Sequence, residues 1–499
     1  QNDDLKAKGA WIRLRDEGDK IVLTLKQVTD EQTGLMKDRV FDLLSGYGVK
    51  LDPHPEMFHL LSKTGAEVDH ESGMVRFPKQ VLKDLLTLAP VSFKLGACDP
   101  EKSLTLPRPD GTFYGRSAGG CHGWIDPETG EYEKVTTKNF AGWAQLINHL
   151  DEINLLSMLF CNDAPVKTAD VYSLAVLLKN TNKSIWVQPY SKDSVEYLIL
   201  LAEAAAGGGK KLAVNPVVSM IVCSLTPRTF KTMDIEALIR SAKAGIPIQA
   251  CSLPGAGGTS PVTIPGTVLL AAAEILAMAA MAQAVKPGAP VVTCPIIFST
   301  DMRTGRSLQS SVESMRAASM AVQFIKKAFG LPTHNYGSGT DSPIVDEQSA
   351  TERAILTTWM AASGLDILGG AGQLEVVTAA SPLQLIVDNE VLAMARRMIE
   401  PVRLDDDQLG WEVITTTSPG DHFMTADHTF EHCRECFNPQ NFIRMPRDDW
   451  QRDDRKTLMG RVREDYKRIM SLENTADASL ELAREIDAVV KAADKKLFE

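Results

Sequence analysis

The sequence predicts an α/β chain whose main body is a (β/α)8 barrel, a TIM barrel, with amino-terminal and carboxy-terminal helical additions. With 499 residues the chain is long enough for such a body and its additions. Short apolar runs alternate eight times with helical segments between residues 111 and 400, which is the rhythm of repeated βα units. Two of the runs, in Leu331 to Gln348 (LPTHNYGSGTDSPIVDEQ) and Asp366 to Glu375 (DILGGAGQLE), break into glycines and polar residues before the next helix. Loops leaving the carboxyl ends of strands build the active site of a parallel barrel, and glycine there lets backbone approach a ligand. An open doubly wound sheet gives the same alternation, because a count of strands does not prove closure.

Residues 1–110 read as a small α+β region. Glu31 to Tyr47 has helical apolar spacing, and short helices then alternate with strand-like pieces as far as VSFKLGACDP. The barrel, 111–400, takes its strands from Phe113 to Ser117, Leu155 to Cys161, Ser184 to Gln188, Val217 to Cys223, Ile246 to Cys251, Val291 to Ile297, Thr333 to Tyr336 and Asp366 to Leu368. Its helices are expected near Lys138 to Leu150, Thr168 to Lys179, Ser194 to Ala206, Thr232 to Lys243, Thr267 to Val285, Ser310 to Phe329, Glu347 to Ala362 and Leu383 to Met398. Thr267 to Val285 is apolar enough to cross a membrane, but its Ala and Met content and its place between two strands favour a packed barrel helix. Residues 401–499 read as loops and helices packed on the barrel. The tail helix from Ala476 has apolar spacing suited to the outside of the barrel or to a second copy of the chain.

Charge and cysteine content narrow the function. Lys and Arg total 53 against 64 Asp and Glu, a net charge of -11, and no basic run appears. Nucleic-acid partners are not expected, since phosphate contacts need clustered cations. The first residues, QNDDLKAKGAWIRLRDEGDK, lack the apolar centre of a signal peptide, so a cytoplasmic protein with no membrane association is expected. The 8 cysteines do not make a disulfide framework in so long a chain. Cys161, Cys223, Cys251 and Cys294 sit in separate strand runs, where small buried hydrophobes are the common outcome and thiolate ligands the rarer one. His432, Cys433 and Cys436 (HCREC) lack a fourth ligand for a zinc site.

At the barrel mouth these strand ends bring together Cys121, His122, Asn162, Asp163, Gln188, Tyr190, Ser224, Thr226, Ser252, Phe298, Ser299, Asp301, Tyr336, Asp341, Gln373 and Glu375. Amides and hydroxyls outnumber charges. There is no G-x-S-x-G elbow and no H-E-x-x-H pair, and the glycine groups at Gly255 and Gly370 are fragments of a phosphate cradle. Arg303 and Arg306 could grip a carboxylate with two hydrogen bonds. The residues by themselves indicate a barrel enzyme for a small polar or cationic ligand.

LPTHNYGSGTDSPIVDEQ followed by GGAGQLE resembles the trimethylamine methyltransferase superfamily, corrinoid-dependent enzymes that take a methyl group from an amine. The likeness extends from GVKLDPHPEMFHLLSKTGAEVD through DMRTG (Asp301 to Gly305) to HTFEHCREC. It implies a (β/α)8 barrel. In the trimethylamine branch the segment resembling GSGTDS carries pyrrolysine where this chain has Gly339, so the resemblance points to the branch similar to glycine betaine methyltransferase. That branch demethylates a quaternary amine onto the cobalt of a separate corrinoid protein. A quaternary ammonium leaves as a neutral tertiary amine, so its site must hold and orient but supply no acid or base. Aromatic faces contribute roughly 0.5 to 2 kcal/mol each toward holding the cation.

The resemblance therefore implies Tyr336, Phe298 and Tyr190 around the cation, and Asn162, Gln188, His334 and Gln373 as orienting groups. Arg303 or His122 would meet a carboxylate, Gly337 and Gly339 would leave space for ligand and corrin, and Glu375 lies on the matching segment. The expected substrate is glycine betaine, with proline betaine or carnitine next. No metal and no tightly bound cofactor is expected, and the cognate corrinoid protein is a transient partner, because the chain has no D-x-H-x-x-G corrinoid signature. A binding protein that keeps the amine pocket, and a zinc-dependent corrinoid methyltransferase using the strand cysteines, are the competing readings.

Overall fold

A computed structural model describes residues 11–16, 20–26, 28–474 and 476–498. Residues 1–10 and 17–19, which hold the start of the expected amino-terminal region and most of the stretch read for a signal peptide, lie outside the described residues. Eight parallel strands form the barrel: β1 Tyr114–Ser117, β2 Ile153–Ser157, β3 Ser184–Val187, β4 Val218–Cys223, β5 Ile248–Ser252, β6 Val291–Pro295, β7 His334–Tyr336 and β8 Ile367–Ala371. Neighbours in sequence are neighbours in the sheet, and β8 returns to β1. A bridge between Thr293 and Thr333, with the Thr293 N–H donating to the Pro332 carbonyl at 2.9 Å, joins β6 to β7 and completes the ring. Closure removes the open edge that a doubly wound sheet would leave.

The helices that follow the strands are α1 Thr137–Asn148, α2 Ala169–Asn180, α3 Val195–Ala206, α4 Thr232–Ala244, α5 Ile264–Val285, α6 Val312–Phe329, α7 Glu347–Ala362 and α8 Pro382–Ile399. Their starts follow local chemistry. Thr136 and Asp346 form capping boxes with Asn139 and Ser349, satisfying amide groups that a helix start leaves free. The second strand is the clearest departure from expectation, since it begins at Ile153 and ends at Ser157 instead of running to Cys161. Residues 158–161 leave the sheet because the Phe160 N–H bonds the Cys121 carbonyl of the loop after β1 at 2.9 Å. The eighth strand runs on to Ala371, past its expected end at Leu368.

Helix α5 is the apolar segment whose composition suits a membrane. It lies in sequence between β5 and β6, and 83% of its most apolar 18-residue window is buried within the protein. Its one charged side chain, Glu274, is fully buried and accepts hydrogen bonds from the hydroxyls of Thr226 (2.9 Å) and Ser252 (2.6 Å), from the Ser224 hydroxyl, and from the Arg228 N–H (2.7 Å). A buried carboxylate is tolerated when several donors converge on it.

The amino-terminal segments cover one side and the base. A hairpin of Phe93–Leu95 and Leu104–Leu106 inserts Leu95, Leu104 and Leu106 among Leu155, Val292 and Ile367 at the start of the barrel strands, plugging that end. Val49–Leu51 pairs with Thr229–Phe230 from the loop after β4, which ties this region to the barrel. At the other end of the chain, the helix Leu480–Phe498 lies on α2. There Asp494 accepts from the hydroxyls of Thr168 and Tyr172, both at 2.7 Å, and Asp487 pairs with Lys179.

Candidate active site

The interior of the barrel is organised around an arginine that the sequence analysis did not single out. Arg116, on β1, is fully buried. Strand alternation turns it inward, where its Nε donates to His334 Nε2 at 2.8 Å and its Nη1 to the Ser117 carbonyl at 3.0 Å and to the Ser157 hydroxyl. The guanidinium carbon lies 4.5 Å from the centre of the Trp186 ring and 4.7 Å from that of Tyr336. Its Nη2 is buried with no hydrogen-bond partner, and among the described residues no carboxylate pairs with it.

His334 is held neutral. Burial, and then the charge of Arg116, push its pKa well below the usual range. Because Nε2 accepts from Arg116, Nδ1 carries the proton and faces Gln249 Oε1 at 3.2 Å, while Gln249 Nε2 donates to the Ser219 hydroxyl at 3.1 Å. This chain of polar groups crosses the barrel interior beneath the mouth. Gly369 on β8 is required by it, because a Cβ there would lie 2.5 Å from Arg116 Nη2 and 2.8 Å from His334 Nε2.

Above Arg116 the loops after β7 and β8 are stitched together. The Glu375 N–H donates to the Ser342 carbonyl at 2.9 Å and the Val376 N–H to the Thr340 carbonyl at 3.1 Å. Glu375, Val376 and Val377 all have positive φ (50°, 51° and 72°), a strained run for residues with side chains, two of them β-branched. The turn packs Val377 against the interior cluster that contains Trp186 and Tyr336. Beside it, Gln373 Nε2 donates to Gln309 Oε1 at 2.5 Å, leaving Gln373 Oε1 and Gln309 Nε2 buried and unpartnered. Gly339 faces this amide pair: a Cβ on it would lie 2.4 Å from Gln309 Oε1 and 2.6 Å from Gln373 Nε2. Tyr336 joins the two layers, since a Cβ on Gly370 would meet its ring at 2.8 Å and Gln373 Nε2 at 3.0 Å.

The residues singled out from sequence thus divide. Tyr336, His334, Gln373, Gly337 and Gly339 lie in this one region, and Gly337 donates its N–H to the Gly369 carbonyl at 3.0 Å. Gln188 is half-buried and lines a cavity of about 260 Å³ with Ile221, Cys223 and Asp234. Phe298 packs on the edge of the interior cluster. Tyr190 belongs to the larger hydrophobic cluster, its ring centre 5.2 Å from that of Phe160. The Asn162 amide is taken up by the carbonyls of His122, Val135 and Phe160, and so ties loops together. His122 is exposed, and Arg303 has a side chain 90% exposed that pairs with Asp301 of its own turn. Glu375 pairs with Arg306 at 3.3 Å. The hydroxyls of Ser224, Thr226 and Ser252 serve Glu274, which binds the mouth loops to α5.

Cys223, Cys251 and Cys294 stand side by side on β4, β5 and β6 at one level of the barrel. The Cys251 thiol beside it, and then burial, raise the pKa of Cys223 well above the usual thiol range, and burial does the same for Cys251, which favours the protonated forms. Cys161 is not in that row. In the carboxy-terminal part, His432 lies with His428 and Asp407, their ligand atoms within 4.8 Å of one another, while Cys433 and Cys436 are exposed.

Residues 14–495 match the model of the family described as trimethylamine methyltransferase (MTTB). The chain is 26% identical over 423 residues to trimethylamine methyltransferase MttB of Desulfitobacterium hafniense DCB-2, covering 85% of this chain and 84% of that one. It is 27% identical over 439 residues to a glycine betaine methyltransferase of Desulfitobacterium hafniense Y51, covering 86% of this chain and 89% of the relative. Among solved structures, the monomethylamine methyltransferase MtmB of Methanosarcina barkeri superposes with a TM-score of 0.50 at 13% identity, covering 93% of this chain and 91% of that chain. That likeness concerns the barrel fold.

Proposed function

Because the chain belongs to the trimethylamine methyltransferase (MTTB) family, we propose that it moves a methyl group from a quaternary amine, glycine betaine first, to the Co(I) of a corrinoid carried by a partner protein. The observation that carries this reading is the surroundings of Gly339. The nearest groups to that position are the amides of Gln309 and Gln373, which can orient a substrate and cannot hand over a proton. A quaternary amine needs no proton. The N–CH3 bond breaks with its electron pair staying on nitrogen, and a neutral tertiary amine leaves.

The residues of this chain then act by holding. Amide oxygens and aromatic faces favour a trimethylammonium group, and burial excludes water from the reacting bond. Alignment of acceptor, methyl carbon and nitrogen supplies much of the rate. The corrinoid is a substrate of the reaction, and it supplies the nucleophile that accepts the methyl group. Leu225, Val262, Met302 and Ile344, on the loops after β4, β5, β6 and β7, are exposed apolar side chains around the mouth. Such a rim fits the docking of a partner protein and the apolar edge of a corrin.

The test is product formation. Incubated with reduced corrinoid protein and glycine betaine, the purified protein is expected to release dimethylglycine in proportion to the corrinoid methylated. Demethylation of trimethylamine in preference to every quaternary amine overturns the reading.

A further inference from the structure

Arg116 is a fully buried cation that no carboxylate pairs with among the described residues. Its Nε and Nη1 are satisfied by His334, Ser117 and Ser157, two aromatic rings lie against its plane, and Nη2 is left over. Rings offset part of the desolvation of a guanidinium, but a fully buried charge is ordinarily paired. His334 cannot serve, because it is neutral and already accepts from Nε. The N–H groups of Nη2 are left to donate, and a carboxylate oxygen is the acceptor that also supplies the missing charge.

We infer that Arg116 binds the carboxylate of the substrate, and that the substrate is therefore a zwitterionic betaine and not a simple alkylammonium or an uncharged amine. The inference rests on the methyl-transfer reading for the identity of the rest of the ligand, but not for the anion site itself. It assigns to Arg116 the role that sequence reasoning gave to Arg303 or His122, both of which stand at the surface. It also explains why Tyr336 meets the protein's own cation. An ammonium ion placed against Trp186 and Tyr336 would sit beside Arg116 and be repelled, whereas one that brings its own carboxylate neutralises Arg116 and carries its methyl groups on the side away from the guanidinium. A cation lacking the carboxylate gains no such compensation. The site thereby discriminates by charge and not by the shape of the trimethyl group, which betaines and choline share.

The experiment is calorimetric titration of the full chain and its R116M variant with three ligands of one shape class: glycine betaine, choline, and 3,3-dimethylbutanoate, which keeps the carboxylate and replaces nitrogen by carbon. The wild type is expected to bind both carboxylates, and choline about 100-fold more weakly than glycine betaine. R116M is expected to lose about 100-fold for each carboxylate, the usual consequence of removing one partner from a buried charge pair, and to bind choline no worse than the wild type. If R116M does not fold, R116K keeps the charge and loses the Nη2 donors, and the wild-type ranking alone still decides. Equal binding of choline and glycine betaine by the wild type, no binding of either carboxylate, or unchanged carboxylate binding in a folded variant overturns the assignment. Methyl transfer is assayed in parallel. Transfer from choline as fast as from glycine betaine rejects the Arg116 assignment and leaves the methyl-transfer reading standing, whereas Arg116-dependent carboxylate binding with no transfer from any quaternary amine does the reverse.

Discussion

Two glycines fix the chemistry of the site by leaving room for larger neighbours. A methyl group at Gly369 would lie 2.5 Å from Arg116 Nη2, so Gly369→Ala is expected to lower unfolding free energy by about 1 to 3 kcal/mol. Combined with Arg116→Met the cost should shrink, and a double-mutant cycle by chemical denaturation reads that coupling. At Gly339 the nearest atoms to an added methyl group are the amide ends of two glutamine side chains. Gly339→Ala should therefore unfold within about 1 kcal/mol of the parent while methyl transfer falls at least 10-fold, as the displaced amides no longer orient the substrate. Residue-level roles were the least legible part of the sequence. A lone arginine in FYGRSAGG has no partner along the chain to mark it as buried, and only barrel closure brings Trp186, His334 and Tyr336 around it. Tyr336 is expected from sequence to face a substrate cation, and the group found against it is a guanidinium of the protein.

At the scale of elements, α5 and its single carboxylate hold the mouth together. Glu274→Ala removes the acceptor of three hydroxyls and a backbone N–H, and is expected to cost about 3 kcal/mol of stability and to loosen the loops after β4 and β5. Denaturant titration and proteolysis near Leu225 would read both effects. The first turn of α4 carries a pH-sensitive group, Asp234, whose carboxyl burial raises to about 6 while it accepts the Cys223 N–H at 2.9 Å. The folded state then holds this proton across pH values where the unfolded chain, with a pKa near 3.8, has released it. Stability should therefore decline as pH rises from about 4 to about 6, by at most ~3 kcal/mol. Asp234→Asn keeps the acceptor oxygen and should flatten that slope. The elements themselves were readable because strands and helices have separate periods and the capping residues mark helix starts, as at Asp346. The hydroxyls of Ser224, Thr226 and Ser252 read as ligand groups because their partner lies in another element, fifty to twenty-two residues further on.

At the scale of the whole molecule, the barrel is a closed frame whose floor is plugged by apolar side chains and whose mouth carries polar groups with buried, unpartnered atoms. The sequence favours a closed barrel over an open sheet, and the bridge between β6 and β7 that completes the ring is announced by no local pattern. The family resemblance ran along most of the chain because segments outside the barrel, such as the hairpin beneath it and the final helix along α2, pack on the same frame. The proposed activity would use that frame as a mouth that orients, the proposed anion site at Arg116 below it, and a rim of exposed apolar residues for the methyl acceptor. The measurement that bears most directly on this account is an anaerobic single turnover in which the purified protein is mixed with Co(I) corrinoid protein and, separately, glycine betaine, proline betaine, carnitine, choline and trimethylamine. The account predicts loss of the Co(I) absorbance with a carboxylate-bearing quaternary amine and little or none with choline or trimethylamine. Methylation of the corrinoid from trimethylamine alone would contradict it.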